Sequence, residues 1–326
     1  MTTLIVLIIV LLSVASTPLT LKKLIDQSNR RNMIKNRKYI DVFKQEEGVR
    51  AFFTTKNGAV QGTANGTLYD NEEVFQELGL NDAFKVWPRQ VHGTHIEIIR
   101  EEDVQRLKEQ QAIEAEQPEV EETLPEDTET HVEDMPRNGV ILPATDGVLT
   151  DARNVLLTSV HADCLPVYLY DEKHGVIGLV HAGWRGAVAG IVPQAIRRMI
   201  NVLGAGRDDI RVYIGPGISK CCFEVGSEVA EQFLLEWGSS FAEPVEAPKQ
   251  NKRADALELP DPEEEPEQKY MLDLKAAVKH QVMNMGIPEE NIEISRHCTC
   301  CEPEQFCSYR REGQTYMRMG AGICLI

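Results

Sequence analysis

Positive charge is scarce in this chain: 34 Lys and Arg stand against 51 Asp and Glu, a formal net charge of −17 at neutral pH. The phosphate backbone of nucleic acid demands a basic face, so this class of partner is excluded. Missing too is an apolar run of the roughly 20 residues that a membrane-spanning helix needs. Leu4–Ala15 is the candidate, and it stops at Ser16-Thr17-Pro18. Nothing basic precedes it, whereas a secretory leader carries its positive charge first. The basic residues Lys22, Lys23, Arg30, Arg31, Lys35, Arg37 and Lys38 all follow. Residues 1–45 are therefore read as a separate segment, either a weak anchor or a mis-assigned start, and membrane contact is expected only there. The eight histidines include no His-x-His pair, which argues against the clustered imidazoles of a multicopper centre. A tidy disulfide framework is absent as well. Two of the cysteine pairs, Cys221-Cys222 and Cys300-Cys301, are adjacent, a spacing that suits a reduced cytoplasmic compartment better than export.

What is present is a core and two acidic tracts. The 42% hydrophobic fraction of the 326 residues is ample for a folded domain. Glu114–Asp134 holds ten acidic residues, no Lys or Arg, and prolines at 118 and 125. Asp255–Glu267 repeats the pattern with Pro260, Pro262 and Pro266. Such stretches bury too little apolar surface to offset their ordering entropy. They are read as disordered surface insertions, at about 101–138 and 243–268, in a catalytic domain spanning 46–326.

Strands are expected at Gly48–Thr55, Val86–Val91, Ile96–Ile99, Asp146–Thr150, Val155–Val160, Val167–Tyr170, Val176–Val180, Ile210–Ile214, Ile292–Ser295 and Thr315–Ile323, and the short β-branched runs spaced by turns between 146 and 180 signal a sheet with antiparallel neighbours. Helices are expected at Asn71–Leu80, Ala187–Leu203, Ser227–Trp237 with Ser227 as cap, and Met271–Met285. Strands interspersed with helices, without regular βαβ alternation, give an α+β class.

Chemistry concentrates where apolar runs stop. Val155–Val160 leads into His161-Ala162-Asp163-Cys164-Leu165-Pro166, and Val176–Val180 leads into His181-Ala182-Gly183-Trp184-Arg185-Gly186. Gln90-Val91-His92-Gly93 marks a third such change. A lone cysteine is usually a small hydrophobe and a lone histidine usually hydrogen-bonded core. Here Asp163 sets a charge beside a thiol, and a Gly-Trp-Arg-Gly turn follows His181, both costly without a polar role. His92, Cys164 and His181 are two imidazoles and a thiolate, a donor set that suits zinc with one position left open. Asp163 is the carboxylate nearest in sequence, a candidate to orient a ligand or shuttle protons. Arg185 begins a helix, where it either meets an anion or clamps the turn. His95 and His161 default to surface or core roles, with His161 the better candidate for the site. Cys298, Cys300, Cys301 and Cys307 raise the question of a second metal, although their spacing is irregular.

Gln-Val-His-Gly, Ala-Asp-Cys-Leu-Pro-Val and His-Ala-Gly-Trp-Arg-Gly, in that order, resemble the YfiH-like family. Ile214-Gly215-Pro216-Gly217-Ile218, Phe223-Glu224-Val225-Gly226, Cys298-Thr299 and Ser308-Tyr309-Arg310-Arg311-Glu312-Gly313 continue the likeness, which runs from about Arg50 to the C-terminus. Members are described either as multicopper polyphenol oxidase (laccase-domain) proteins or as purine nucleoside phosphorylases. The resemblance implies a single domain with mixed central β-structure and flanking helices. It also implies a zinc enzyme of purine nucleosides and phosphate, acting by phosphorolysis of adenosine, inosine or methylthioadenosine and by deamination of adenosine. Catalytic residues would be Asp163, Cys164 and His181, with Arg185 and Arg310 on the substrate. Two departures touch specificity. Lys56-Asn57-Gly58 stands where relatives carry Arg and glycines, and Thr315-Tyr316-Met317-Arg318 replaces a Thr-Gly-Arg pattern. Two alternatives stay open: a copper polyphenol oxidase, copper also being an adventitious guest of N/S sites, and a metal-free cysteine hydrolase using Cys164 and His181.

Overall fold

Side chains alternate along a strand, so a run that is apolar at every position must be covered on both faces. The runs Leu165–Asp171 and Val176–Ala182 are buried throughout, and the architecture follows from what covers them. The computed structural model describes residues 37–61, 68–116, 138–245, 268–313 and 317–326. Residues 1–36 and the two acidic tracts, 117–137 and 246–267, lie outside the described residues, as do the readings made for them.

The first sheet has seven strands. Its order is Tyr39–Val42 (β1), Val49–Thr54 (β2), Met317–Leu325 (β16), Val155–His161 (β8), Phe84–Pro88 (β4) and Gly139–Leu142 (β6), with Val60–Gln61 (β3) also on β16. The second sheet runs Ile292–Ile294 (β15), Arg211–Ile214 (β11), Leu165–Asp171 (β9), Val176–Ala182 (β10), Gly147–Thr150 (β7) and Ile96–Ile99 (β5). A small third sheet joins Glu224–Gly226 (β12), Lys269–Leu272 (β14) and Ala242–Pro244 (β13). The pairs β4–β6, β4–β8, β5–β7 and β11–β15 are parallel and the others antiparallel. The protein is thus α+β, a single domain with mixed β-structure inside and helices outside.

Alternation sorts the core into layers. Val155 and Leu157 of β8 face inward with Phe53, Tyr168, Tyr170, Ile177 and Leu179, so this cluster fills the space between the two large sheets. Leu156 and Phe52, one residue out of phase, point to the opposite face and meet Val74 and Phe75 of the helix Glu72–Leu78. On the far side of the second sheet, Val167, Leu169, Val176 and Val180 pack under the helices Ile191–Leu203 and Leu274–Asn284. Each such buried aliphatic side chain contributes roughly 1.5–3 kcal/mol. A one-residue slip of any of these strands would exchange two cores.

Several expectations need correction. The helix expected over Ala187–Leu203 is two, Trp184–Val188 and Ile191–Leu203. Gly190 breaks it at φ +74°, and a Cβ there would lie 3.2 Å from the Trp237 ring. The helix expected from Met271 begins at Leu274, because Asp273 caps it by accepting from the Ala276 amide at 3.0 Å. Residues 269–272 are strand instead. Ser227 is not the cap of its helix: Gly226 takes that place, without a side-chain bond. The folded part starts before residue 46, since β1 pairs with β2. The insertion placed at about 101–138 opens with an ordered helix, Glu101–Glu116, whose Val104 is buried and whose Gln111 donates to the Gly139 carbonyl at 2.6 Å. The other insertion, placed at 243–268, starts too early, since residues 243 and 244 belong to β13, which pairs with β14. Among the described residues no helix is long and apolar enough to cross a membrane. Deleting 118–134 is expected to move the melting temperature by no more than about 2 °C, because a sequence so acidic offers little apolar surface to bury. A fall beyond about 5 °C in calorimetry would show that it packs.

Three connections cross from the first large sheet to the second: β4 to β5, β6 to β7, and β8 to β9. They carry His92, Asp146, and the Asp163-Cys164 pair respectively. His181 stands at the end of β10, in register with Pro166. The crossovers therefore gather these residues at one end of the sheet pair.

Candidate metal centre

The sequence change from strand to Gly-rich turn at Gln90-Val91-His92-Gly93 produces a tight bend, with His92 at φ +61°. An L-residue is held there only by its surroundings, and what holds this one is Asp146. Its Oδ1 accepts from the His92 amide at 2.9 Å, and its Oδ2 accepts from the amides of Gly93 at 2.8 Å and Val91 at 3.2 Å. Asp146 Oδ1 also accepts from His181 Nδ1 at 2.8 Å, and its carbonyl takes the His181 amide at 2.7 Å. One buried carboxylate thus fixes the turn that carries one imidazole and the ring of the other. Since an ionised carboxylate only accepts, His181 carries a proton on Nδ1, which leaves Nε2 as the ring nitrogen that would give up its proton to bind a metal. Burial works against the Asp146 charge, but the His181 hydrogen bond and the backbone amides outweigh it and hold the carboxyl below its usual range.

Cys164 completes a group of three: one donor atom each from His92, Cys164 and His181 lie within 4.8 Å of one another. The two imidazole rings are 4.9 Å apart, nearly perpendicular. His92 is exposed, Cys164 half-buried and His181 buried, so the group opens to solvent on the His92 side. Burial alone would push the Cys164 thiol up. The His181 charge and hydrogen bonds from both histidines prevail and bring it to about 6. Burial disfavours the His181 cation, while Cys164 and Asp146 raise it to about 9. Two nitrogens and a thiolate from three segments form a donor set that fits a borderline-soft cation, with room for a fourth ligand on the open side.

Gly183 makes the approach possible. A Cβ there would sit 3.0 Å from His92 Cδ2 and 3.1 Å from Cys164 Sγ. Its backbone is ordinary, at φ −72° and ψ 166°, so alanine is not strained there. Gly183→Ala is therefore expected to fold with near-native stability while displacing both side chains by a few tenths of an ångström. About tenfold of turnover should be lost, with a matching loss of metal occupancy by elemental analysis.

The other candidates are placed as follows. Asp163 does not support the cluster, because its carboxylate is occupied elsewhere: Oδ1 accepts from Thr299 Oγ1 at 2.6 Å, and Oδ2 from Ser308 Oγ at 3.0 Å and the Arg310 amide at 2.7 Å. At φ +97° its backbone turns it away from its neighbour and toward the C-terminal loops. The carboxylate that orients a histidine is Asp146. In sequence Asp146 reads only as the first residue of the strand expected at Asp146–Thr150, whereas the strand begins at Gly147 and leaves Asp146 in the crossover. Arg310 is a clamp on the chain itself. Its Nη1 donates to the carbonyls of Glu224 at 2.9 Å and Cys222 at 3.2 Å, and its guanidinium lies 5.4 Å from the Phe223 ring. Arg185 is exposed and stacks on Trp184 at 4.4 Å. His161 is core: Nδ1 donates to the Cys164 carbonyl at 3.1 Å, and Nε2 accepts from Ser159 Oγ at 2.7 Å. Burial, reinforced by the His181 charge, keeps it neutral. His95 is exposed and pairs with Glu97. Of the four cysteines read as one group, Cys300 and Cys307 stand outside the sulfur cluster that Cys298 and Cys301 form with Cys221 and Cys222. Cys307 is buried, and its amide donates to Met319 Sδ at 3.0 Å.

Comparison with known proteins places this arrangement. Residues 57–326 match the family model described as multi-copper polyphenol oxidoreductase laccase. "Purine nucleoside phosphorylase YlmD" of Geobacillus stearothermophilus is 37% identical over 182 residues, 56% of this chain and 60% of that protein, so the chain spans less than two thirds of its length. "Adenosine deaminase RL5", from an unknown prokaryotic organism, is 28% identical over 299 residues, covering 87% of this chain and 97% of the relative. The crystal structure of the Bacillus licheniformis hypothetical protein YfiH superposes with a TM-score of 0.64 at 26% identity, covering 89% of this chain and 97% of the other. With the family model spanning most of the chain and the fold shared along nearly its whole length, the chain belongs to the YfiH-like family, a family of enzymes that bind metal.

Proposed function

We propose that this protein is a zinc-dependent purine nucleoside enzyme, carrying out phosphorolysis of adenosine, inosine or methylthioadenosine and deamination of adenosine. The observation that carries the reading is the convergence of His92, Cys164 and His181 under the grip of Asp146. The names of the two relatives supply the substrate class. When bound, zinc supplies a Lewis acid and lowers the pKa of water toward about 7. The chain's own contribution is positional. Asp146 keeps His181 in one tautomer and one orientation, and the His92 side leaves the substrate an approach from solvent. Arg185, exposed in the first turn of the helix Trp184–Val188, is assigned to phosphate, and Arg310 to holding the loop rather than the substrate. A reducing cytoplasm would keep the thiols in the free form the structure has.

The polyphenol oxidase description does not carry the same weight, since its chemistry relies on clustered histidines and the chain has no His-x-His pair. A cysteine hydrolase is the stronger rival, because Cys164, His181 and Asp146 also form a nucleophile, base and orienting acid. The direct experiment incubates metal-replete enzyme with adenosine and phosphate and separates the products. Adenine with ribose 1-phosphate, or inosine with ammonia, supports the proposal. If neither forms under conditions where zinc occupancy is complete, it fails.

A further inference from the structure

Far from His92 and His181 in sequence, four more sulfurs meet. Cys221 Sγ lies 3.7 Å from Cys298 Sγ and 3.4 Å from Cys301 Sγ, and Cys222 Sγ lies 3.2 Å from Cys301 Sγ. All four sulfurs fall within 4.8 Å of one another, and none is in a disulfide. We infer that Cys221, Cys222, Cys298 and Cys301 form a second metal site, a tetrathiolate that takes zinc and staples the turn at 219–223 to the C-terminal loop.

Tetrahedral zinc with bonds of about 2.3 Å sets its sulfurs roughly 3.8 Å apart, close to the separations seen. Four thiols packed together without a bond or a metal are otherwise hard to account for: each is a weak donor and a weak acceptor, with no strong partner in the group. Cys298-Thr299-Cys300-Cys301 has the two-residue spacing common to structural zinc knuckles. The backbone favours a thiolate at its first member. The Ser219 amide points at Cys298 Sγ from 3.4 Å, and Glu302 Oε1 accepts the Cys298 amide at 3.0 Å, fixing the start of the turn.

Charge fits as well. Zinc binding would release four thiol protons to solvent and leave a net charge of −2 on the cluster, which needs cationic surroundings. Lys275 is buried, with its ammonium donating to the carbonyls of Ser295 at 2.9 Å and His297 at 2.6 Å, directly before Cys298. Arg310 holds the Cys222 carbonyl, and Arg311 holds those of Thr299 at 2.8 Å and Cys300 at 2.7 Å. Three cations thus attach to the backbone that carries the thiols. The closed set of four protein ligands leaves no open position, so this site is structural rather than catalytic. Its reach is wider than its location. The loop it fastens carries Thr299, Ser308 and Arg310, the groups that hold Asp163 beside Cys164.

The test uses the full chain, purified under reductant, stripped with chelator and reloaded with zinc alone. Elemental analysis should find two zinc equivalents per chain in the wild type and one in Cys164→Ser. Cys301→Ser, a change at an exposed position, should also retain one, the one that depends on Cys164. Cobalt alone gives a second readout, whose first arm is the wild type itself: it should show the intense near-ultraviolet thiolate-to-cobalt band of a sulfur-rich site. Most of that intensity should be kept in Cys164→Ser, and in Cys301→Ser it should fall to about that of the single Cys164 thiolate. A single equivalent in the wild type that disappears with Cys164→Ser would overturn the inference. So would a Cys221–Cys301 disulfide found by peptide mapping of the freshly purified protein, or a zinc count unchanged in Cys301→Ser.

Discussion

Cys164→Ser is expected to abolish nucleoside turnover and to weaken metal binding at the His92–His181 site by more than the roughly 10–100-fold typical of an outer-shell change. A neutral hydroxyl replaces an anionic sulfur, and the remaining imidazoles cannot make up the lost bond. The experiment separates the two readings that share this residue. If the thiolate is a ligand, it is already deprotonated and shielded, so iodoacetamide should label Cys164 slowly in metal-replete protein and faster after chelation. Activity should fall with the metal and return with zinc. If the thiolate is instead a nucleophile, chelators should leave activity intact, alkylation should abolish it directly, and an acyl or related adduct should be trappable. Cys221, Cys222, Cys298 and Cys301 complicate a whole-protein labelling assay, so the reading must be made at the Cys164 peptide. Chelator-resistant turnover with a trapped Cys164 adduct would overturn the zinc reading.

The residues that identify this centre were legible because each sits at a sequence discontinuity. His92, Cys164 and His181 end apolar runs, and an apolar run that halts at a polar residue marks the edge of a sheet. The strands were equally plain, since a short β-branched run between turns is a local signal, but which of Leu156 and Leu157 faces which core was not, because both are apolar. What stayed hidden was whatever depends on pairing across the chain. Asp146 is separated by about fifty residues from the turn it holds, and nothing near it in sequence announces three amides and an imidazole. Asp163 looked like the working acid because it adjoins Cys164, but its backbone conformation sends the carboxylate to Thr299 and Ser308. Adjacency in sequence was a poor guide where the chain changes direction. The same holds for the cysteines. Cys298 and Cys301 display a knuckle spacing, but their partners lie nearly eighty residues upstream, and Cys300 and Cys307 made the pattern look irregular. Helix ends failed for a local reason: the strong apolar periodicity of residues 187–203 masked the left-handed break at Gly190.

Asp146→Asn should show that one carboxylate sets both the shape of the site and part of the stability of the fold. Its two oxygens receive four donors: the amides of Val91, His92 and Gly93, and His181 Nδ1. An amide offers one oxygen. If that oxygen stays with His92 and His181, the new NH₂ group faces the Val91 and Gly93 amides, donor against donor. Each buried donor left unsatisfied costs about 1–3 kcal/mol, and the charge-assisted bonds lost are stronger than neutral ones. A loss of roughly 3–5 kcal/mol follows, which for a chain of this size is a fall of about 5–8 °C in melting temperature. The same change frees the His92 turn and lets the His181 ring rotate, so metal affinity should drop by about 10–100-fold. Both effects have a pH signature in the wild type. The fold binds the ionised carboxylate, whose value is held below that of the unfolded chain. Its stabilisation is therefore complete above the ordinary carboxylate range and is lost only as the pH falls through the lowered folded-state value. In Asp146→Asn that acid-side component should be missing from the stability profile measured by denaturant titration. If the variant keeps its metal and its melting temperature, the four hydrogen bonds do not hold the site. The orientation of His92 and His181 must then come from their own packing.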